Sequence, residues 1–209
     1  MDLDGDGKRD VISGDWPGNV NLFRGTDQGF APAERLKDAM GRDLEAGSAS
    51  AAFAVDWDGD GDLDLVVGNI DGEVLLWRDL RPQGAKQAAW NKEARPLAKV
   101  DGDAGPCVAD WDGDGDQDLI VGGADGAVRL FANQAGPGKP PALGKAQVLV
   151  KASAPSGGRA KPCVADWDGD GDQDLLVGDF ESEGETCHGR VWLYRRAGAP
   201  AKTETPKAE

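Results

Sequence analysis

A nine-residue acidic string that occurs four times constrains the fold of this chain more than any other feature. Its copies are residues 2–10, 56–64, 110–118 and 166–174, and their starts are 54, 54 and 56 residues apart. That spacing is too regular for chance, and it exceeds the roughly 34 residues of a helical-hairpin repeat. The chain is therefore built from similar units that must stack on one another to bury their apolar faces.

Each acidic string is followed by two short apolar segments separated by glycine. In the second unit these are residues 65–68 and 74–77, with Gly72 in the turn between them. Apolar, β-branched runs of this length around a Gly-containing turn predict an antiparallel hairpin. The corresponding pairs are 11–14 with 20–23, 119–122 with 128–131, and 175–178 with 191–194.

Two further strands complete each unit. A short apolar segment precedes three of the strings, at 53–55, 107–109 and 163–165, and a weaker one follows three of the hairpins, at 33–36, 94–99 and 146–151. Four short strands in roughly 54 residues are typical of a propeller blade. We therefore predict an all-β fold, a β-propeller of four-stranded antiparallel blades.

The spacing also sets the boundaries of the units. One propeller region, 1–196, is divided into repeats at about 1–47, 48–101, 102–157 and 158–196. The first repeat has no strand before its string and the fourth has no outer strand, so we expect both to be incomplete and the chain to be part of a larger propeller, truncated at its N-terminus. A closed ring of four blades is the alternative. Residues 197–209 lack apolar residues larger than alanine and are predicted to be a disordered tail.

The composition of the strings predicts metal binding. Carboxylates occupy positions 1, 3, 5 and 9, and glycine occupies positions 4 and 6. Alternate side chains such as Asp56, Asp58 and Asp60 point toward one centre, and Gly61 permits the turn that returns Asp64 to it. So many like charges are unfavourable without a cation. Oxygen-only donors favour Ca²⁺, up to four ions with one in each string, and the terminal first string should bind most weakly.

The predicted ligands include the acidic residues at position 7. In a calcium loop this position binds the ion through its backbone carbonyl, not through its side chain. These strings hold nineteen of the 38 acidic residues. The predicted metal ligands are Asp2, Asp4, Asp6, Asp10, Asp56, Asp58, Asp60, Asp62, Asp64, Asp110, Asp112, Asp114, Asp116, Asp118, Asp166, Asp168, Asp170, Asp172 and Asp174.

Two other interpretations of the strings were weighed against this one. An EF-hand requires a bidentate Glu at position 12, whereas here that position falls in the following strand, as at Val67. The EF-hand is therefore excluded. A solvated acidic turn without metal remains the alternative, although four matched copies speak against it.

The string and the strand after it resemble the FG-GAP/VCBS repeat of integrin α-subunit-like propellers. The third copy, residues 109–122, reads ADWDGDGDQDLIVG, and the resemblance covers residues 2 to about 196. It implies that each string joins the two inner strands of a blade and binds Ca²⁺ through the carboxylates named above.

Charge and length exclude some classes of partner and location. The net charge is −15, and an acidic surface repels nucleic acid. No apolar run reaches the roughly 18 to 20 residues that span a bilayer, and the chain as given carries no signal peptide. Open, modular Ca²⁺ sites belong to the class with Kd of roughly 10⁻⁴ to 10⁻³ M, filled outside the cytosol. We therefore expect an extracellular or cell-envelope location.

Three residues outside the strings are candidates for ligand binding: Trp16, Phe180 and His188. Trp16 lies in the first hairpin turn, where we expect it to be exposed. Phe180 and His188 lie in a ten-residue segment, 179–188, where the other repeats have three residues. We expect this segment to be a long hairpin turn on the face opposite the strings, and tolerated insertion is the alternative explanation.

Two other sets of residues have simpler explanations. Trp57, Trp111 and Trp167 share the second string position and are predicted to pack between blades rather than to stack on sugars. Cys107 and Cys163 occupy equivalent strand positions and are predicted to be buried, inert thiols.

No catalytic constellation is present, because the chain has one histidine, no serine nucleophile motif and acidic residues concentrated in the strings. We predict that the chain is not an enzyme. The leading hypothesis is a calcium-stabilised propeller scaffold of an exported protein that mediates protein or cell-surface interaction, with a protein or glycan ligand. The alternatives are a glycan-binding, lectin-like propeller and a non-catalytic part of a polysaccharide-active enzyme.

Overall fold

The computed structural model describes residues 1–82, 85, 88–136, 139, 141–151, 157–183 and 186–196. Sixteen β-strands lie in these ranges, and the described residues form no helix. The all-β prediction is confirmed. The predicted disordered tail, 197–209, lies outside the described residues.

The strands follow the predicted segments closely. They are β1 (Val11–Gly14), β2 (Val20–Phe23), β3 (Gly25–Thr26), β4 (Gly29–Phe30), β5 (Glu34–Arg35), β6 (Ala51–Val55), β7 (Asp64–Gly68), β8 (Glu73–Trp77), β9 (Arg95–Lys99), β10 (Gly105–Ala109), β11 (Asp118–Gly122), β12 (Val128–Phe131), β13 (Gln147–Val150), β14 (Gly157–Ala165), β15 (Asp174–Glu183) and β16 (Thr186–Tyr194). All the pairings between them are antiparallel.

The strands form one sheet for each repeat, as expected of propeller blades. Sheet one is β1-β2-β5, sheet two is β6-β7-β8-β9, sheet three is β10-β11-β12-β13, and sheet four is β14-β15-β16. A separate β3-β4 hairpin accompanies sheet one. Sheets two and three therefore have the full four strands, sheets one and four have three in the described residues, and the sheets do not close into a ring.

The core lies between successive sheets. Val66 and Leu76 of sheet two pack on Leu119, Val121 and Phe131 of sheet three. Because neighbouring side chains on a strand point to opposite faces, a strand between two sheets is apolar throughout, and all five residues of β7 are buried. We call the face of a sheet that packs on the next sheet along the chain its outgoing face.

Backbone contacts bring successive sheets together at the ends of β1, β7 and β11. A Cβ atom placed there on the strand's last glycine would lie 2.0 to 2.3 Å from a carbonyl oxygen of the next sheet, where no side chain fits. The three contacts are Gly14 with Ser50, Gly68 with Ala104, and Gly122 with Ala160. These glycines are therefore required by the stacking of the sheets.

The prediction of a long turn over residues 179–188 is wrong for most of that segment. β15 and β16 continue as a two-stranded ribbon, with Asp179 opposite Arg190 and Glu183 opposite Thr186. Pairing of the backbone satisfies N–H and C=O groups that a ten-residue loop would leave to water.

Two predictions of burial are wrong, and both concern residues of the fourth repeat. Cys107 and Trp57 are buried as predicted, but Cys163 is exposed and Trp167 is 60% exposed. Within the described residues no sheet packs on the outgoing face of sheet four, so side chains equivalent to core residues meet solvent there. Trp16, in the first hairpin turn, is 69% exposed, as predicted.

Candidate metal centre

The four acidic strings form loops at one end of the sheets. Loops one to four are residues 2–10, 56–64, 110–118 and 166–174. Loop two joins β6 to β7, loop three joins β10 to β11, and loop four joins β14 to β15, while loop one leads into β1. Each loop thus connects the innermost strand of a sheet to its neighbour, or takes the equivalent place in sheet one.

The carboxylate at position 1 organises each loop around itself. Asp56 Oδ1 accepts hydrogen bonds from the backbone N–H groups of Gly59 (2.8 Å) and Asp60 (3.1 Å), and its Oδ2 accepts one from Gly61 (3.0 Å). Both glycines have positive φ, 76° for Gly59 and 92° for Gly61, a conformation that glycine adopts without strain. Asp2, Asp110 and Asp166 accept equivalent bonds in the other loops.

The carboxylate at position 9 closes the loop, a role that the sequence analysis missed. Asp118 Oδ2 accepts the N–H of Trp111 (2.9 Å) at position 2, and Oδ1 accepts the N–H of Asn133 (2.7 Å), just beyond β12. Asp64 bonds Trp57 and Asp79 in the same way. The residue is fully buried, and it ties the loop to the far end of the hairpin. An available signal was that position 9 is also the first residue of a strand, inside the sheet.

The loops bring together four groups of carboxylates. In each group, oxygens of three carboxylates lie within 4.8 Å of one another. Positions 1, 3 and 5 form the groups of loops one and two, whereas positions 1, 3 and 9 form those of loops three and four. The position 7 residues Asp62, Asp116 and Asp172 belong to none of them. The groups are Asp2, Asp4 and Asp6; Asp56, Asp58 and Asp60; Asp110, Asp112 and Asp118; and Asp166, Asp168 and Asp174.

Burial and mutual repulsion raise the pKa of several of these carboxyls. Burial, with the charges of Asp60 and Asp56, raises the pKa of Asp64 to about 7. Burial, with the charge of Asp112, raises the pKa of Asp118. These shifts mean that the loops hold more negative charge than the protein around them stabilises.

Two carboxylate oxygens in the loops lack any partner. Asp58 Oδ1 and Asp116 Oδ1 are buried and accept no hydrogen bond. The pKa of Asp116 is also raised by burial and by the charge of Asp114. A buried, unsatisfied carboxylate oxygen costs free energy unless a donor or a cation meets it.

An arginine partly offsets the charge of three loops. The arginine directly follows the second strand of the hairpin, which is β2, β8 or β16. It is Arg24, Arg78 or Arg195. These arginines contact the position 3 carboxylates of their loops, Asp4, Asp58 and Asp168 respectively. The equivalent residue of sheet three is Ala132, and in the described part of the chain no Lys or Arg forms an ion pair with loop three. The sequence contained this difference, but nothing in the pattern indicated that the arginine would reach the loop.

The donor set fits a hard divalent cation. Every side-chain donor of the four groups is a carboxylate oxygen, the ligand type that Ca²⁺ and Mg²⁺ prefer. The unsatisfied oxygens and the raised pKa values are what a cation would relieve. The acidic groups could therefore hold metal ions.

The three other candidate residues lie away from the loops. Trp16 and Phe180 line one cavity at the opposite end of the sheets. His188 is exposed on β16, opposite Glu181, and does not line that cavity. The structure thus brings together two of the three.

Comparison with known protein families identifies the repeat. A family model described as "FG-GAP-like repeat" matches residues 2–67, 56–121 and 110–177. Each match begins at position 1 of one loop and ends in the strand after the next loop. No curated protein and no solved structure matches the chain. Among the described residues there is no helix with the length and apolarity needed to cross a bilayer.

Proposed function

The chain belongs to the FG-GAP-like repeat family, and on that basis we propose that it is a calcium-binding, calcium-stabilised propeller scaffold of an exported protein that mediates protein or cell-surface interaction. FG-GAP repeats are typical of extracellular proteins, which supports export. The single observation that carries the calcium assignment is the geometry of loop three.

Loop three concentrates five carboxylates, and among the described residues none of them forms an ion pair, since Arg196 donates to the backbone oxygen of Trp111 instead (2.6 Å). Asp110, Asp112 and Asp118 place oxygens within 4.8 Å of one another, and the buried Asp116 Oδ1 accepts no hydrogen bond. Ca²⁺ takes six to eight oxygen ligands in flexible geometry, and backbone carbonyls and water complete such shells. Mg²⁺ demands a near-ideal octahedron and gives up its water reluctantly, so the irregular loop favours Ca²⁺.

The other loops should bind more weakly, because the position 3 carboxylate of each contacts an arginine that competes with the ion. Arg78 contacts both Asp58 and Asp60 in loop two. Loop one has an additional handicap, since Lys8 occupies position 7, where the other loops have Asp. We therefore propose that loop three is the tightest site and loop one the weakest.

The ions in this proposal are structural and the scaffold is not catalytic. A loop joins two strands, and its position 9 carboxylate reaches the end of a third, as Asp118 does with Asn133. A cation held by positions 1, 3 and 9 would fix three strand ends at once. Four divalent ions would also reduce the net charge from −15 to −7, which weakens the self-repulsion of the folded state.

A thermal melt with and without chelator tests the proposal. At ten times its Kd, one ion adds about 1.4 kcal/mol to the free energy of unfolding, so four add about 5 to 6 kcal/mol. We expect EDTA to lower the Tm by more than about 10 °C, and Ca²⁺ to restore it at lower concentration than Mg²⁺.

Matched variants locate the effect. Asp112→Asn removes one charge from the loop three group, whereas Asp71→Asn removes one charge from an exposed residue of the turn between β7 and β8, at the opposite end. Asp112→Asn should weaken the calcium response and Asp71→Asn should leave it unchanged. A Tm that is the same in EDTA and in Ca²⁺ would contradict the proposal.

A further inference from the structure

A cavity of about 540 Å³ lies at the end of the sheets opposite the acidic loops. Its wall is formed by the end of β1, the middle of β15 and residues at the starts of the innermost strands of sheets two, three and four. A volume between roughly 300 and 1,000 Å³ is typical of small-molecule sites. All four repeats thus contribute to one concave surface.

The backbone around this cavity is strained at three equivalent positions. Ala49, Asp103 and Arg159 have φ of 53°, 44° and 58°, and they are the only non-glycine residues with positive φ among the described residues. Each directly precedes a residue whose carbonyl packs against a glycine of the previous sheet. Glycine would adopt this conformation without strain, so stacking alone favours glycine here. Strained non-glycine residues gather at functional sites.

The side chains of Asp103 and Arg159, together with Lys161, form a charged cluster on the cavity wall. Lys161 Nζ donates to Asp103 Oδ1 (3.0 Å) and to its backbone oxygen (3.1 Å), and Arg159 Nε lies 3.4 Å from Asp103 Oδ2. Asp103 is 7% exposed. One buried carboxylate therefore holds two cations, and the cluster carries a net positive charge in a strongly acidic chain.

The outer edge of Arg159 is open to the cavity. Its terminal nitrogens make no hydrogen bond to the described residues, and its side chain is 53% exposed. The two other acids of the wall, Asp15 and Asp179, bring the formal charge of the whole lining to −1, so attraction for an anion is confined to the open edge of Arg159. Asp15 accepts hydrogen bonds from Gly18, Asn19 and Asn21, and Asp179 accepts them from the backbone N–H of Arg190 and the indole N–H of Trp192.

Two aromatic rings complete the wall. Trp16 is 69% exposed and Phe180 is 41% exposed, and they occupy equivalent positions in sheets one and four. The guanidinium carbon of Arg159 lies 5.7 Å from the centre of the Phe180 ring, which orients the cation beside an apolar surface. Flat apolar faces next to an open guanidinium suit a ligand that has both an apolar face and a carboxylate.

We propose that this cavity binds a carboxylate-bearing sugar, a hexuronate residue of a glycan. The C–H face of the pyranose ring packs on Trp16 and Phe180, and the carboxylate pairs with the terminal nitrogens of Arg159. An extended acidic peptide is the alternative ligand, but its main chain offers no flat apolar face for Trp16 and Phe180 to cover. The site rests on the calcium-stabilised scaffold proposed above, since residues of four sheets must be held together.

Isothermal titration calorimetry on the full chain in saturating Ca²⁺ tests the proposal, with methyl β-D-glucuronide and methyl β-D-glucoside as probes. We expect the glucuronide to bind at least tenfold more tightly, because the charge-assisted hydrogen bond is absent from the glucoside. Arg159→Gln should abolish that preference, and Trp16→Ala should weaken binding of both sugars. Phe30→Ala is the matched control: it removes an exposed aromatic side chain from β4, outside both the acidic loops and the cavity, and should leave both affinities unchanged.

Three outcomes would overturn the assignment. Equal affinity for the two sugars would exclude the role of Arg159, and tighter binding of an acetylated Asp-Glu dipeptide would favour a peptide ligand. If neither sugar binds while the same sample retains its calcium-dependent Tm, the cavity is not a sugar site, yet the proposed scaffold function stands.

Discussion

Sheets three and four have nearly the same sequence pattern but very different surroundings. Their second strands read DLIVG and begin DLLVG, and each follows an Asp-rich loop with the same spacing. On the outgoing face of sheet three, Val128 is 0% and Leu130 is 6% exposed. On the outgoing face of sheet four, Val191 is 73% and Leu193 is 41% exposed. Equivalent side chains are therefore core or surface according to whether another sheet follows.

The same two sheets also differ in the packing of their backbone and in the charges beside their loops. A Cβ atom on Gly122 would lie 2.0 Å from the carbonyl oxygen of Ala160 in sheet four, whereas the nearest such atom to Gly178 is an oxygen of its own sheet at 3.8 Å. Loop four has Arg195 beside Asp168, at 3.4 Å, and loop three has Ala132 in that place. Sheet three is thus packed on both faces but carries the less compensated loop.

The largest expected difference between the two sheets concerns their leucines. Leu130→Ala should lower the free energy of unfolding by about 2 to 5 kcal/mol, because it leaves a cavity against Leu175 and Val177. Leu193→Ala should cost less than about 1 kcal/mol, because its side chain is already partly hydrated. Urea denaturation in excess Ca²⁺ measures both values. Equal losses would break the comparison and would mean that the outgoing face of sheet four is covered in solution, which sedimentation velocity would detect as association.

The next largest difference concerns two equivalent glycines, Gly122 at the end of β11 and Gly178 within β15. Gly122→Ala should destabilise the protein by about 1 to 3 kcal/mol, since a backbone carbonyl cannot move away without displacing sheet four. Gly178→Ala should change the stability by less than about 0.5 kcal/mol, because the added methyl group meets only an ordinary contact. The same denaturation experiment compares them. A large loss of stability for Gly178→Ala would indicate that another group, absent from the isolated chain, packs against Gly178.

The third expected effect is a dependence of stability on pH in the absence of divalent cations. The folded protein raises the pKa of Asp116 and Asp118 in loop three, so it keeps protons that the unfolded chain has released. Stability should then fall as the pH rises. Asp64 in loop two sets the window, from its ordinary value of 3.8 to about 7. Across this pH window, the Tm in EDTA should fall by about 2 to 4 °C for each 1 kcal/mol of unfolding free energy that is lost.

Two controls sharpen that experiment. Excess Ca²⁺ should cancel or reverse the trend, because a bound cation favours the ionised carboxylates. Asp116→Asn should flatten the slope in EDTA, because it removes one of the carboxyls whose pKa is raised. The pKa of Asp125 is lowered by its hydrogen bond from Arg129. This group therefore makes the stability rise with pH, but only below about pH 3.8. A Tm that rises from pH 4 to pH 7 in EDTA would refute the expected sign.

Much of the fold could be predicted because its signals are local. Short apolar runs such as those around Val66 and Ile120 alternate with glycine turns, and period and turn chemistry suffice to place strands. The four carboxylate groups could be predicted for the same reason, since their donors lie within nine residues. The bonds of the position 9 carboxylate could not, because its partner Asn133 lies fifteen residues away, beyond a hairpin.

Errors arose where equivalent sequence positions have different neighbours. Cys163 and Trp167 were predicted to be buried by analogy with Cys107 and Trp57, yet they are exposed because no sheet covers them. The segment that contains Phe180 was predicted to be a turn, but pairing between β15 and β16 continues through it. In both cases the missing information was a partner distant in the chain.

The sequence alone was enough to place most of the strands, to order the sheets and to show that carboxylates cluster in each loop. The reason is that backbone conformation and chelation depend on residues close together in the chain. Only the tertiary structure decided which faces are core, which loops an arginine reaches, and that Trp16, Asp103, Arg159 and Phe180 line one cavity. Burial, ion pairing and concavity depend on what packs against a residue, and here the partners come from different repeats.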